Sequence, residues 1–266
     1  MSATKILIIN GCPHKGNTWT LTEVVKNQIK DLDSNVIFEE VHLSESNIEF
    51  CTGCSLCFRK GHEFCPHNKA IQPILNRIHW CDGLIFAASC FQGATPAVTK
   101  NFTDHLAFML HRPRFFYKKA LVISTTGGVS AGCVTKSLSN TLYGWGFNKC
   151  YELPIAALSW NDYKPTESHI NKAHKLSEKF YYDVKSGKMH SPKIGLLIPF
   201  NLFEAMSDDY APGKEYETRD GVFWQKYKGK RYADNVPLPL YKKIFGKFIY
   251  VIGKKLSSKI MVTYKK

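Results

Sequence analysis

The sequence lacks a long hydrophobic run of the kind that spans a membrane. No stretch reaches the ~20 consecutive apolar residues that a membrane-spanning helix needs. The longest apolar candidates, residues 194–203 and 244–252, are interrupted by Pro199 and Lys247. Near the N-terminus, the apolar residues 6–9 are too few for a secretory signal, and a turn containing Gly and Pro follows them. These absences predict a cytoplasmic protein with reduced cysteines.

Acidic residues are scarce in one part of the chain only. The 266 residues include 36 Lys and Arg against 22 Asp and Glu, a formal net charge of +14. Residues 226–266 contain 12 of the basic residues and a single acidic one, Asp234, so this segment alone carries +11. The remaining residues are nearly neutral, which argues against nucleic acid as a partner of the main body. We therefore expect one domain over residues 1–190 and a basic, partly helical extension over residues 191–266.

Short apolar runs alternate with amphipathic stretches through the first part of the chain. Apolar residues at helical spacing predict helices, with Thr18 as a cap of the first and Pro73 in the first turn of a later one. This alternation predicts an α/β fold with a doubly wound, five-stranded parallel sheet, in which ligands bind at the carboxyl ends of the strands. The last predicted strand contains Pro154, which favours an edge position. The five predicted strands cover residues 5–10, 36–41, 83–89, 120–126 and 151–158.

A turn-rich loop, residues 11–18, follows the first predicted strand and opens a helix. Free backbone N–H groups and the positive end of the helix dipole favour an anion such as phosphate at this position. Asn17 and Thr18 can add hydrogen-bond donors, and His14 or Lys15 can add positive charge. The loop is neither a Gly-x-Gly-x-x-Gly nor a Walker sequence. On its pattern alone, phosphate binding and an ordinary strand-to-helix turn stay equally open.

Nine cysteines are present, and four of them crowd into a short insert, residues 51–65. Three thiolates spaced by three residues can converge on one centre if the backbone curls, and the fourth can return through a turn at Gly61. Four soft sulfur ligands from a compact loop suit a 4Fe-4S cluster. Zinc also takes four thiolates, and free or disulfide-bonded thiols are the third alternative, but the closely spaced run favours iron. The candidate ligands are Cys51, Cys54, Cys57 and Cys65.

The other cysteines and the histidines near these segments are expected to have ordinary roles. The remaining cysteines are expected to be small buried hydrophobic residues, apart from Cys12 and Cys90, which lie on candidate ligand-binding loops. His62 and His67, which flank Cys65, are expected at the surface as polar residues. His105 and His111 are expected on the solvent side of a helix.

The order of these parts resembles the flavodoxin-fold NAD(P)H-dependent FMN reductases, most closely their iron–sulfur flavoprotein branch. The resemblance covers about residues 4–160. Residues 11–18 are similar to the family's phosphate loop, residues 82–86 to the run before its second flavin loop, and residues 125–128 to its third flavin loop. Further matches are Gly93, Lys100 and Asp104. The departures are Cys12 for the usual Ser, His14 where Arg is common, and Phe91 in place of Tyr.

The resemblance implies a flavodoxin-like fold with FMN as cofactor and NAD(P)H as electron donor. Its phosphate is expected at residues 12–18 and its isoalloxazine ring against residues 91–93 and 125–128. The acceptor is expected to be a quinone-, nitro- or azo-type molecule or, through the cluster, a protein partner, and a homodimer is implied. The alternative is a non-catalytic module that senses redox state or carries electrons. The implied FMN-binding residues are Cys12, His14, Asn17, Thr18, Phe91, Gln92, Gly93, Thr125, Gly127 and Gly128.

Near the C-terminus, apolar residues recur at every fourth position, while lysines occupy another face. This pattern predicts a basic amphipathic helix. Three kinds of contact are possible for this helix. It could adsorb to an anionic membrane, pack on the chain's own core or on a dimer partner, or dock to an acidic electron carrier. The many large apolar residues favour packing, because they need burial. The apolar row consists of Leu240, Ile244, Phe248, Ile252, Leu256 and Ile260.

Overall fold

Five parallel strands form a single sheet at the centre of the protein, as seen in a computed structural model that describes residues 3–257. Their spatial order is β2-β1-β3-β4-β5. The chain passes from β2 at one edge to β3 on the other side of β1, so the topological switch point lies between β1 and β3. The strands are β1 (Lys5–Asn10), β2 (Ile37–His42), β3 (Gly83–Ala87), β4 (Lys119–Thr126) and β5 (Lys149–Ala156). The predicted α/β fold is confirmed.

Helices cover both faces of the sheet. On one face, α1 and α7 pack against the strands; on the other, α3, α4, α5 and α6 do so. The helices of the body are α1 (Asn17–Leu32), α2 (Leu56–Arg59), α3 (Asn68–Trp80), α4 (Ala97–His105), α5 (Phe108–His111), α6 (Ala131–Gly144) and α7 (Glu167–Ser186). Those of the extension are α8 (Leu197–Met206), α9 (Arg219–Trp224) and α10 (Leu240–Leu256).

The burial of the strands explains their composition. All five residues of β3 and the last five of β1 are buried, because helices cover both faces of these central strands. β5 lies at the edge of the sheet, where Pro154 pairs with Ser124 on β4 and needs no N–H for a further neighbour. The edge position predicted from Pro154 is therefore confirmed.

Two local predictions are wrong. Thr18 does not cap α1: the N-cap residue is Gly16, no side chain caps the helix, and the Thr18 hydroxyl instead bonds that of Thr125. Pro73 does not lie in the first turn of α3, because that helix already begins at Asn68, directly after the cysteine insert. Pro73 is its sixth residue, where it removes one backbone hydrogen bond from the second turn.

The C-terminal extension folds against the body through its own hydrophobic core. Phe116 of the body contributes to this core together with Leu197, Phe200 and Trp224 of the extension. The predicted amphipathic helix is present as α10, and Gly246, Ile249 and Gly253 form its buried side. Ile260, the last member of the predicted apolar row, lies outside the described residues. Within residues 3–257, no helix combines the length and the apolar character needed to cross a membrane.

Candidate functional site

A pocket of about 140 Å³ opens at the carboxyl ends of β1, β3, β4 and β5. It is adjacent to the switch point of the sheet, where ligands of doubly wound folds bind. Four loops contribute its walls, one after each of these strands. Its lining residues are Cys12, His14, Gly16, Asn17, Thr18, Ser89, Cys90, Phe91, Thr125, Thr126, Gly127, Ser159 and Trp160.

The first loop begins with a tightly packed glycine. The Gly11 N–H donates to the Ala87 carbonyl at 2.7 Å, and the Thr99 hydroxyl donates to the Gly11 carbonyl at 2.6 Å. A Cβ atom on residue 11 would lie 2.1 Å from the Thr99 hydroxyl oxygen, so only glycine fits there. The loop leads into α1, whose first-turn N–H groups lack intrahelical acceptors, and Gly16, Asn17 and Thr18 at this helix start line the pocket.

Hydrogen bonds tie the first loop to two of the others. The Thr18 and Thr125 hydroxyls lie 2.7 Å apart in a buried contact between the start of α1 and the end of β4. The Asn17 side-chain amide donates to the carbonyl of Ser159, after β5, at 2.9 Å. These bonds hold Asn17 and Thr18 in place before any ligand arrives, which lowers the entropic penalty of binding.

The Cys12 side chain connects the first loop to the second, and its thiol is uncharged. The Ser89 N–H donates to the Cys12 sulfur at 3.2 Å, and the Cys12 N–H donates to the Asn10 side-chain oxygen at 3.1 Å. Burial raises the pKa of the Cys12 thiol above its ordinary value, although the hydrogen bonds from Ser89 act in the opposite direction. The thiol is therefore neutral at pH 7 and does not repel an anion in the pocket.

The second loop presents an aromatic ring on a tight turn. Phe91 and Ala94 form a short antiparallel bridge, and Gln92 and Gly93 between them both have positive φ angles, of 51° and 76°. This geometry places Phe91 in the pocket wall and half exposed. Gln92, Gly93 and, in the third loop, Gly128 are candidate residues that do not line the pocket; the other seven candidates do.

The loop after β5 supplies residues that sequence reasoning missed. Ser159 and Trp160 line the pocket, and Trp160 is 94% exposed, so its indole ring is available at the pocket mouth. Leu158 begins this turn with a positive φ angle of 50°. The signal that could have found them was positional, because the carboxyl end of β5 lies at the same edge as those of β1, β3 and β4.

The cysteine insert curls through three residues with positive φ angles. Gly53 and Ser55 have φ angles of 65° and 60°, and Gly61 has one of 136° between α2 and the turn that leads to Cys65. The pKa of the Cys57 thiol is raised to about 11, mainly by burial; Arg112 acts to lower it, and the Cys65, Cys54 and Cys51 thiols add smaller increases. The four thiols thus share one electrostatic environment, with Cys51 and Cys54 exposed at its outer side.

Three buried polar side chains hold the insert against the body. Asn101 of α4 accepts the Cys51 N–H at 3.1 Å and donates to the carbonyls of residues 48 and 49. His105 lies with one ring nitrogen 3.8 Å from the Cys65 sulfur and the other 2.9 Å from the Glu49 carbonyl. Arg112 donates to the Cys57 carbonyl at 2.6 Å. The position of the thiols therefore depends on α4 and on the residue that follows α5.

The donor set of this insert, four thiols within fifteen residues, fits a centre with soft sulfur ligands. All nine cysteines are free thiols, so disulfide formation within the insert is not observed. Among residues 3–257, no three His, Cys, Asp or Glu side chains are arranged to hold one metal ion. Four thiolates are the ligand set of a structural zinc site as well as of an iron–sulfur cluster.

Two expectations for neighbouring residues are wrong. His105 is only 4% exposed, because it packs under the cysteine insert and not toward solvent. Cys133 was expected to be a small buried residue, but it is exposed on α6. The same expectation is confirmed for Cys81 and Cys150, which are buried. His62 is partly covered by a stacked contact with Phe108, with ring centroids 4.9 Å apart.

Comparison with known sequences yields one matching family and several relatives. The sequence model described as NADPH-dependent FMN reductase matches residues 4–160, more than half of the chain. An iron–sulfur flavoprotein of Clostridioides difficile (strain 630) is 28% identical over 225 residues, which cover 83% of this chain and 97% of the relative. An iron–sulfur flavoprotein of Archaeoglobus fulgidus is 32% identical over 100 residues, covering 38% of this chain and 47% of the relative.

Solved structures share the fold at low sequence identity. A NAD(P)H:quinone oxidoreductase from Methanothermobacter marburgensis superposes with a TM-score of 0.54 at 17% identity, covering 66% of this chain and 96% of the other. An FMN-dependent NADH-azoreductase from Bacillus anthracis, solved in complex with FMN, has a TM-score of 0.50 at 15% identity and covers 70% and 100%. At such identities the superpositions establish the flavodoxin-like architecture only.

Proposed function

Because this chain belongs to the NADPH-dependent FMN reductase family, and is an NAD(P)H-dependent flavin oxidoreductase, we propose that FMN binds in the pocket at the carboxyl ends of the strands. The observation that carries the proposal is the convergence of four loops there, three of which contain candidate FMN-binding residues. No carboxylate is found among the described residues that line this pocket, which favours a phosphate.

In this proposal the N-terminus of α1 binds the FMN phosphate. Backbone N–H groups of residues 17 and 18, at the start of α1, and the Asn17 and Thr18 side chains donate to phosphate oxygens, while the neutral Cys12 thiol avoids repulsion. The isoalloxazine ring lies against Phe91 and the 125–128 loop. When bound, FMN supplies the capacity to take an electron pair from NAD(P)H and pass it on. The protein binds and orients both reactants.

We propose planar conjugated molecules of the quinone, nitro or azo class as electron acceptors. Phe91 and Trp160 offer exposed aromatic faces at the pocket mouth, and planar acceptors stack on such faces. The names of the two structural neighbours, a quinone oxidoreductase and an azoreductase, are consistent with this class. The open mouth leaves room for an acceptor beside the bound cofactor.

We further propose that Cys51, Cys54, Cys57 and Cys65 hold a 4Fe-4S cluster that passes electrons to a protein partner. The name shared by the sequence relatives, iron–sulfur flavoprotein, supports this proposal together with the free state of the four thiols. A reducing compartment is consistent with nine unpaired cysteines.

A second copy of the chain is proposed to cover part of the pocket mouth. Four large apolar side chains cluster in the loops around it, Phe91, Val129, Leu158 and Trp160, and each is at least half exposed. Contiguous exposed apolar surface of this kind marks an interaction site. Sedimentation of the holoprotein is expected to give a dimer, and Leu158→Ser with Val129→Ser is expected to weaken it.

The experiment that tests flavin and cluster together is the visible spectrum of protein purified without oxygen. We expect flavin absorption, stoichiometric release of FMN on denaturation, and NADH- or NADPH-dependent reduction of a benzoquinone or an azo dye. Bound flavin without turnover of either nucleotide would instead favour a carrier or sensor. Protein that stays colourless after incubation with excess FMN and desalting would refute the flavin site.

Iron and acid-labile sulfide are measured on the same preparation. We expect about four of each per chain. Cys54→Ser should abolish both, while Cys133→Ser, which changes an exposed cysteine outside the insert, should leave both unchanged. Zinc without iron would replace the cluster proposal with a structural metal site.

A further inference from the structure

The outer face of α10 leaves large apolar side chains in solvent. We define this outer face as Leu240, Tyr241, Ile244, Phe248 and Val251, whose exposures range from 44% to 73%. Residues spaced by three and four positions lie on one side of a helix, so these side chains form a continuous strip. Single exposed apolar residues are ordinary, but a strip along about three turns of one helix marks an interaction surface.

The opposite side of α10 is fixed, so the helix cannot roll to bury this strip. Gly253 packs against α8 so closely that a Cβ atom there would lie 2.7 Å from the Ala205 Cβ. At Gly246, a Cβ atom would lie 3.0 Å from the Asn201 side-chain nitrogen. Lys254 also pairs with Asp208 across the same contact. The fold therefore presents the outer face to whatever lies outside the protein.

The charges beside this strip are all positive. The 17 residues of α10 include five lysines and no acidic residue. Lys243 and Lys247 flank the strip and have no ion-pair partner among the described residues. They also line an open cleft of about 470 Å³ together with Arg231, Ile244 and Tyr250. An apolar strip and a cationic cleft thus lie side by side.

We propose that the outer face of α10 docks the enzyme on an anionic lipid bilayer. The apolar side chains enter the boundary between headgroups and acyl chains, and Lys243 and Lys247 meet lipid phosphates. A second copy on the same face is disfavoured, because an isologous contact brings the lysines of both copies together. An acidic protein would match the lysines but not the strip of five apolar side chains. Docking of this kind is independent of the proposed FMN site and acceptor.

The test is flotation of the full chain with vesicles of phosphatidylcholine alone or mixed with equal parts of phosphatidylglycerol. We expect the protein to float with the anionic vesicles at low salt and to be released by high salt, since charge attraction is screened. Lys243→Gln with Lys247→Gln should lower the partition coefficient roughly 10- to 30-fold. Ile244→Ser with Phe248→Ser should lower it by a factor that stays the same at each salt concentration at which wild-type binding is measurable, because those residues contribute burial.

The matched control is Lys175→Gln with Lys179→Gln, which removes the same charge from the exposed side of α7 and should leave flotation within about twofold. Circular dichroism and thermal unfolding establish that each variant folds. The proposal is overturned if wild-type protein does not float with anionic vesicles, or if the α7 control loses as much binding as the α10 variant. It is also overturned if the Ile244 and Phe248 substitutions dissociate an oligomer without changing flotation.

Discussion

Trp160 is the residue whose role depends most on where the chain places it. It lies four residues beyond β5, 94% exposed, at the mouth of a pocket whose other aromatic wall is Phe91. At this exposure the indole contributes little packing within residues 3–257, whereas a planar ligand in the pocket, or the proposed second copy, would cover it. The affinity for FMN tests the first of these two roles.

We expect Trp160→Ala to weaken FMN binding by about tenfold. The substitution removes an aromatic stacking contact, which contributes about 0.5–1.5 kcal/mol of binding free energy, and the apolar area that the contact buries. Titration of apoprotein with FMN, followed by flavin fluorescence, measures the change. Tyr182→Ala, which removes a half-exposed ring from α7, is the control and should leave the affinity unaltered. An unchanged FMN affinity in Trp160→Ala would remove this side chain from the site.

Cys81 is expected to make the protein sensitive to alkali. Burial raises the pKa of its thiol to about 11 from an ordinary value of 9.0. The folded state therefore retains a proton that the unfolded state has lost, so this contribution to stability is present below pH 9 and disappears as the pH rises toward 11. The free energy of unfolding, measured by urea denaturation at several pH values from about 9 to about 11, should therefore decrease as the pH rises.

The control for Cys81 is Cys81→Ala, in which the decline in stability over the same pH range should become shallower. This substitution also removes a buried sulfur, so the variant is expected to be less stable than the wild type already at pH 8. The slope with pH, and not the absolute stability, carries the test. An identical slope in both proteins would assign the alkaline loss to other groups.

At the scale of elements, the contact between α10 and α8 depends on two glycines. Helix propensity alone makes glycine unfavourable in the interior of α10, by about 1 kcal/mol relative to alanine. The structure predicts the opposite effect at Gly253, because the added methyl group would meet the Ala205 Cβ at 2.7 Å. The sign of the change in stability therefore separates an isolated helix from one packed closely on α8.

We expect Gly253→Ala to lower the free energy of unfolding by about 1–3 kcal/mol through overpacking. Urea unfolding monitored by circular dichroism measures it. Val251→Ala, on the outer face of the same helix, should change stability by only about 0.5 kcal/mol. Stabilisation of Gly253→Ala by about 1 kcal/mol would contradict the close packing of α10 on α8.

The cysteine insert is an element with little regular structure of its own. Its only α-helix among the described residues, α2, is four residues long, and no side chain caps it. Its shape therefore comes from contacts made by α4 and by the chain after α5, through Asn101, His105 and Arg112. The spacing of the cysteines was visible in the sequence, but these anchors, more than 35 residues away, were not.

At the scale of the whole molecule, one buried ion pair joins the body, the cysteine insert and the extension. Arg112, 2% exposed, pairs with Asp220 of α9 and also donates to the Cys57 carbonyl. His111 lies 2.8 Å from the same carboxylate. One guanidinium therefore contacts both the extension and the insert. The domain boundary at residue 190 stays a prediction. The Arg112–Asp220 pair joins residues on its two sides.

We expect Asp220→Leu to lower the free energy of unfolding by about 3–5 kcal/mol, because it leaves a buried guanidinium without its counter-charge. The double variant Arg112→Met with Asp220→Leu should recover part of that loss. Asp234→Ala, which breaks the exposed pair with Lys230, is the control and should change stability by less than about 1 kcal/mol. If Asp220→Leu behaves like this control, the pair does not couple the extension to the body.

Much of the architecture followed from local patterns. The alternation of apolar runs and amphipathic stretches predicted all five strands. The signal was clearest for β3 and β1, because burial on both faces demands uncharged residues there. Pro154 predicted the edge strand from its missing N–H. The first loop was a candidate anion site from its own pattern at the carboxyl end of β1, and the residues of the third loop were implied by the family resemblance. Seven of the ten line the pocket.

By itself, the sequence determined the α/β class, three of the four loops that form the pocket, the cysteine spacing and the existence of a basic helix near the C-terminus. The tertiary structure alone decided which residues from distant parts of the chain meet: Trp160 at the pocket mouth, His105 beneath Cys65, and Arg112 between the insert and α9. It also decided that α10 packs through its glycines and exposes its apolar strip. The reason is physical: periodicity reports which face of an element is apolar, whereas the partner of that face is set by close packing between elements far apart in the chain.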